Sequence, residues 1–224
     1  KLKNKNAVII SFLDGENLSE IMPKHCYELG SKIAEFTNIT KISKLSRENS
    51  LGYETWVKIY ESCKNINNNS YVEYFNVLDK ELIFLKNNWP INLPTAIIHA
   101  DLFIDNVLFI NNKISGIINF YFSCKDFIAY ELALTANDWC FNEDGTFNID
   151  NFNSLIMGFN KSSSLNSEEK ASMNVLLRGA AVRILVTRLY DKIFHPNEGL
   201  NELKDPAEYL KILKWHQENK DLNL

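Results

Sequence analysis

Glycine, proline and cysteine are all scarce in this 224-residue chain, at eight, five and four residues. No glycine-rich, phosphate-cradling loop precedes residue 12. The cysteines, Cys26, Cys63, Cys124 and Cys140, lie far apart and form no Cys-x-x-Cys pair. That spacing argues against a disulfide framework or a zinc site and points to reduced, mostly buried thiols of a cytoplasmic protein. No apolar run reaches the roughly 20 residues that span a bilayer. No charged-then-apolar leader opens the chain either, so no membrane partner is expected. Charge of one sign is lacking too: 24 basic residues face 28 acidic ones, for a net charge of −4. Without a basic face, nucleic acid is not expected as a partner.

What the sequence does have is apolar material. Apolar residues make up 46% and aromatic residues 12%, enough for a sizeable core in one domain or a closely packed pair. "NAVIISF" (6–12) reads as a short strand and "LDGE" after it as a turn. Cys26, Leu29, Ile33 and Phe36 form one stripe of a helix from Pro23 to Phe36. A polar stretch from Thr37 to Gly52 reads as a loop. Helices are expected over 53–64 and 70–88, the second opened by a Ser70/Glu73 capping box. Tyr71, Tyr74, Phe75, Leu78, Leu82 and Leu85 line its buried face. "AIIH", "VLFI" and "ISGIINF" are β-like, with "NNK" as a turn. Beyond them the pattern is helical over about 127–140, 150–160, 167–193 and 205–218, the last begun by Asp205-Pro206. The fold class is therefore α+β, a mostly helical body with a small β-rich insert that carries the polar residues.

That insert contains a phosphoryl-transfer pattern. Transfer to an alcohol needs a carboxylate for the hydroxyl proton and ligands for Mg²⁺ on the phosphates. In a kinase-type loop, His-x-Asp-x-x-x-x-Asn supplies the base and one ligand, and a later Asp-Phe supplies the other. His99-Ala100-Asp101 followed by Asn106 fits the first spacing, and Asn119-Phe120 falls at the second position. Singly, Asp101 reads as a turn cap, Asn106 as a turn residue and His99 as a core histidine. Together with the hairpin and the helical sequel, they read as a kinase-like site.

"IIHADLFIDNVLF" and "SGIINFYFSCKDFIAYELAL…NDWCF" resemble the homoserine kinases of the aminoglycoside phosphotransferase and choline kinase-like superfamily. "AVIISFLDGE", "FLKNNWPINLPTAIIHADLF", "NEDGTFN", "LLRGAAVRILVTRLYD" and "KDPAEYLKILKWH" extend the resemblance, in order, over essentially the whole chain. It implies the helical C-terminal lobe of a protein-kinase-like fold, with 1–14 as hinge strand and remnant of the N-terminal lobe and 15–224 as the C-lobe. It also implies transfer of the ATP γ-phosphate to the hydroxyl of L-homoserine, in threonine biosynthesis. By matching positions, Asp101 would be the catalytic base, and Asn106 and Asn119 the Mg²⁺ ligands. Leu108 would line the floor under the adenine, and the backbone around Phe12 and Leu13 would form the hinge. Asp126, Tyr130, Trp139, Arg183 and Tyr190 fall in matching stretches near the expected acceptor. Arg183 and Asp126 suit the carboxylate and ammonium of an amino acid, whereas Tyr130 and Trp139 read more readily as core aromatics.

The chain departs from the family chiefly in two ways, beside smaller differences such as Ile104 where the family often has Pro and Glu131 where it often has Asp. Asn119 stands where the family has Asp, which leaves Mg²⁺ two neutral ligands although it usually relies on carboxylates. The chain also begins at Lys1, just before the hinge. The expectation is an N-terminal lobe that is lost, truncated or carried on a separate polypeptide. Two alternatives stay open: a non-catalytic, pseudokinase-like binding module, and a kinase for another amino alcohol or an aminoglycoside.

Overall fold

The computed structural model describes residues 9–66, 68–196 and 203–222. Seven helices carry most of it: α1 (Pro23–Thr40), α2 (Tyr53–Lys64), α3 (Val72–Asn88), α4 (Ile128–Trp139), α5 (Ile149–Phe159), α6 (Ser167–Phe194) and α7 (Pro206–Glu218). Four short strands lie between α3 and α4: β1 (Thr95–Ile98), β2 (Val107–Ile110), β3 (Lys113–Ile117) and β4 (Cys124–Phe127). They form two antiparallel pairs, β1 with β4 and β2 with β3. Among the described residues no helix is long and apolar enough to cross a membrane.

Helix α4 is the hub. Apolar or small residues fill nearly every position from Ile128 to Trp139, and all but Asp138 are buried. A helix apolar on all sides belongs in a core, and this one packs on α6, α5 and α1. Helices α1 and α5 cross in close contact because Gly30 and Gly158 omit side chains there. A Cβ at Gly30 would lie 2.0 Å from the Leu155 carbonyl oxygen, and one at Gly158 2.0 Å from that of Tyr27. Helix α6 anchors α7 and α2. There the buried Arg178 grips both Glu81 carboxylate oxygens at 2.7 Å, and Gln217 donates to the same carboxylate at 2.6 Å.

Most helical expectations hold closely, since α2 spans 53–64 and α7 starts at Pro206, with the Asp205 side chain accepting from the Ala207 N–H. Helix α1, however, runs past the expected end at Phe36 to Thr40, into the stretch read as loop. Other expectations need correction. The Ser70/Glu73 capping box does not form: the cap of α3 is Tyr71, and a short 3-10 turn before it is capped by Asn68. The strand expected at 6–12 is not seen over 9–12, which pairs with no strand among the described residues. Pairing begins only where Glu16 exchanges both backbone hydrogen bonds with Phe109, at 2.9 and 3.1 Å. Residues 6–8, with Lys1, Lys3 and Lys5, lie outside the described residues. Strand β4 was not anticipated, because "CKDF" has no apolar alternation and owes its conformation to pairing with β1.

Candidate active site

The loop that follows β1 turns sharply at Ala100, whose φ of 63° is left-handed. A non-glycine residue there costs about 1–2 kcal/mol, so the surroundings must impose the conformation. Glu131 on α4 does so: one carboxylate oxygen accepts the Ala100 N–H at 2.9 Å. Glu131 is buried, and burial pushes its carboxyl up to about 7, although the backbone N–H groups of Ala100 and His99 oppose the shift. His99 donates through Nε2 to the Ile118 carbonyl at 2.9 Å. Its ring packs edge-on against Phe120, and burial lowers its pKa, so it stays neutral.

This scaffold presents Asp101 at the mouth of the loop, partly exposed. Burial raises its pKa, against the pull of the Arg183 charge and the Asn106 hydrogen bond. A carboxylate made more basic in this way suits a proton acceptor. Asn106, in a 3-10 turn just before β2, donates through Nδ2 to the Asp101 carbonyl at 2.7 Å and carboxylate at 3.0 Å. The β2–β3 hairpin turns on Asn111 and Asn112, both at positive φ, and sends the chain back towards the loop. It ends at Asn119, also left-handed at φ 66°, whose Nδ2 donates to Asn106 Oδ1 at 2.6 Å. Asp101, Asn106 and Asn119 therefore lie in one continuous chain of hydrogen bonds.

These residues do not fit a resident Mg²⁺. Asn106 turns its amide to Asp101, and its one carbonyl oxygen is taken by Asn119, which leaves Asp101 as the sole charged group of the three. Mg²⁺ usually requires one or two carboxylates besides substrate phosphates. Asp105 does not fill the gap, being exposed and paired with Lys204 at 3.3 Å. Among the described residues no three His, Cys, Asp or Glu side chains cluster as a metal site.

Beside Asn119 opens a cleft of about 380 Å³, lined by Ile10, Ser11 and Leu13 on one side and Ile117 to Tyr121 on the other. Of the three residues expected to contact a nucleotide, Leu13 lines it. Phe12 points outward, 91% exposed, and Leu108 lies under Gly15. Of the expected acceptor residues, Asp126 and Tyr130 lie around Arg183, whose charge acts on both. Asp126 is held by the Asn49 amide at 2.6 Å and the Phe127 N–H at 2.7 Å, and burial raises its pKa. Tyr130 and Trp139 are fully buried, and Trp139 donates to the Leu102 carbonyl at 2.8 Å. They offer no surface to a substrate and are core residues. Arg183 is also buried, with Nε and Nη1 unpartnered among the described residues. Its charge acts on Asp101, Asp126 and Tyr130 from inside the fold, not from the surface. Tyr190 is half-buried and packs on Phe194.

Sequence reasoning missed Asp138. It accepts the Ile104 N–H at 2.8 Å, its carboxyl is pushed up to about 6 by burial, and it lines a cavity of about 320 Å³ with Glu143, Asp205 and Lys211. The resemblance takes in "NDWCF" but gives Asp138 no role, because its bond to Ile104 depends on the loop folding back onto α4.

The profile of the Phosphotransferase enzyme family matches residues 2–161. Homoserine kinase from Parvibaculum lavamentivorans is 41% identical over 217 residues, covering 97% of this chain and 68% of the relative. This chain belongs to that family. Homoserine kinase from Bartonella henselae is also 41% identical, over 97% of this chain and 66% of the relative. The chain thus spans about two thirds of the length of the curated relatives it matches. Among solved structures, an ethanolamine kinase from Plasmodium vivax superposes with a TM-score of 0.65 at 15% identity, covering 92% of this chain and 63% of that one. A choline kinase from Cryptosporidium parvum gives 0.65 at 14% identity, over 94% and 70%. These two likenesses establish a choline kinase-like fold.

Proposed function

We propose that this chain carries the catalytic part of an ATP-dependent kinase that phosphorylates the hydroxyl of L-homoserine, with Asp101 as the base. The observation that carries the reading is Asp101 itself. It stands at the end of a loop held by Glu131 and Asn106, with a pKa raised by burial, in a chain 41% identical to a homoserine kinase. Asp101 would take the proton of the acceptor hydroxyl as the γ-phosphate is transferred, and the cleft from Ile10 to Tyr121 would take the nucleotide. Mg²⁺ is the cation this chemistry implies, and Asn106 and Asn119 are poor ligands for it, so slow turnover is expected. The four buried, free cysteines support a cytoplasmic setting.

A second reading, a nucleotide-binding module that does not turn over, is favoured by the Asn119–Asn106 contact. Homoserine-dependent ADP release, measured beside Asp101→Ala, separates the two. The kinase reading expects release that the variant lowers by at least about 10²-fold, the typical contribution of a general base. Release that ignores the variant, or none with homoserine, overturns it.

A further inference from the structure

The positions assigned by resemblance to a divalent cation are closed on one another. Both hydrogens of the Asn106 amide serve Asp101, one to its carbonyl and one to its carboxylate. Asn106 is buried, and its backbone is fixed by the Phe103 carbonyl and the Ile118 N–H, at 2.9 and 3.0 Å. Its side chain cannot turn over without losing both bonds to Asp101. Its Oδ1 therefore faces residue 119, which is exposed, so a donor there or a water can satisfy it. Asn119 supplies that donor at 2.6 Å.

We propose that Asn119 replaces the divalent cation of this site with a hydrogen-bond latch, so that the loop is ordered, and takes up a nucleotide, without a divalent cation. The nucleotide part rests on the reading above. With Asp at 119, a carboxylate oxygen would face the Asn106 carbonyl oxygen across the same gap. Two acceptors cannot bond each other directly, so a cation, or more weakly a water, must enter between them. Residue 119 thus decides whether the site is closed by a metal or by a proton donor. The left-handed backbone at 119 is tolerated by Asn and Asp alike, so the exchange alters the bonding and not the chain path.

The test compares the parent chain with Asn119→Asp and Asn119→Ala, each in excess EDTA and in excess MgCl₂. Thermal unfolding is followed first without nucleotide. The parent should melt at the same temperature in both buffers. Asn119→Asp should melt measurably lower in EDTA, as expected when a part-buried acceptor loses its direct partner, and recover with Mg²⁺. Asn119→Ala should melt lower in both. A titration with ATP follows. The parent affinity should change by less than about threefold between buffers, and that of Asn119→Asp should tighten at least about tenfold with Mg²⁺. A parent that gains stability from Mg²⁺ alone, or needs it to bind ATP, overturns the proposal. So does Asn119→Asp behaving like the parent in EDTA, or Mg²⁺ rescue of Asn119→Ala. Failure to bind ATP in either buffer overturns the nucleotide reading, whereas the melting pattern, measured with metal alone, decides the latch separately.

Discussion

Replacing Glu131 with Gln should raise stability relative to the parent increasingly as pH rises, because Gln removes a buried group that must ionise. Burial pushes the folded carboxyl up to about 7, from the 4.5 of an ordinary glutamate. The folded state therefore holds a proton that the unfolded chain has already released, and stability contributed by protonated Glu131 is lost as pH climbs from about 4.5 through 7. By linkage, the parent carries a penalty of roughly 1 kcal/mol at about pH 5 and roughly 3 kcal/mol at about pH 8. The difference between variant and parent should thus move by about 2–3 kcal/mol between those conditions. Urea denaturation of both proteins at each pH measures it. Gln keeps an oxygen for the Ala100 N–H, and the bond its amide must find costs the same at every pH, so the pH trend isolates the ionisation. Other buried groups, such as His216, held neutral with its pKa pushed down to about 3, cancel in the comparison. A difference independent of pH would mean that Glu131 is ionised at ordinary acidity, satisfied by Arg183 and the loop N–H groups, and would refute the reasoning.

Two further predictions concern the frame around the site. Gly30→Ala should destabilise the protein by about 1–3 kcal/mol, the usual cost of overpacking, because its Cβ would press on the Leu155 carbonyl; chemical denaturation checks it, and a neutral result would show that α1 and α5 can slide apart freely. Arg178→Met should cost about 3–5 kcal/mol by leaving the Glu81 carboxylate buried without its cation. Adding Glu81→Gln should recover much of that loss, as a double-mutant cycle would show.

Helices were legible in this sequence because each keeps its own apolar stripe, as at Leu78, Leu82 and Leu85, or its own start signal, as at Asp205-Pro206. The Asp101, Asn106 and Asn119 triplet was legible for a related reason: loop and hairpin lie within 20 residues of chain, so spacing alone fixes their neighbourhood. Long-range partnerships were not legible. "CKDF" becomes a strand only because β1 lies alongside it, and Asp138 meets Ile104 across 34 residues. Arg183 matched by sequence, but the fold turns it inward, where its charge steadies carboxylates instead of meeting solvent.

The sequence by itself determined the helical frame, the family and the neutral residue at position 119, since each is written in local pattern or residue identity. Only the tertiary structure decided that Glu131 holds Ala100 in its strained turn and that Asn119 donates a hydrogen bond to Asn106. Both depend on which atoms of distant segments face one another, and hydrogen bonds, unlike burial, have a direction that composition does not encode.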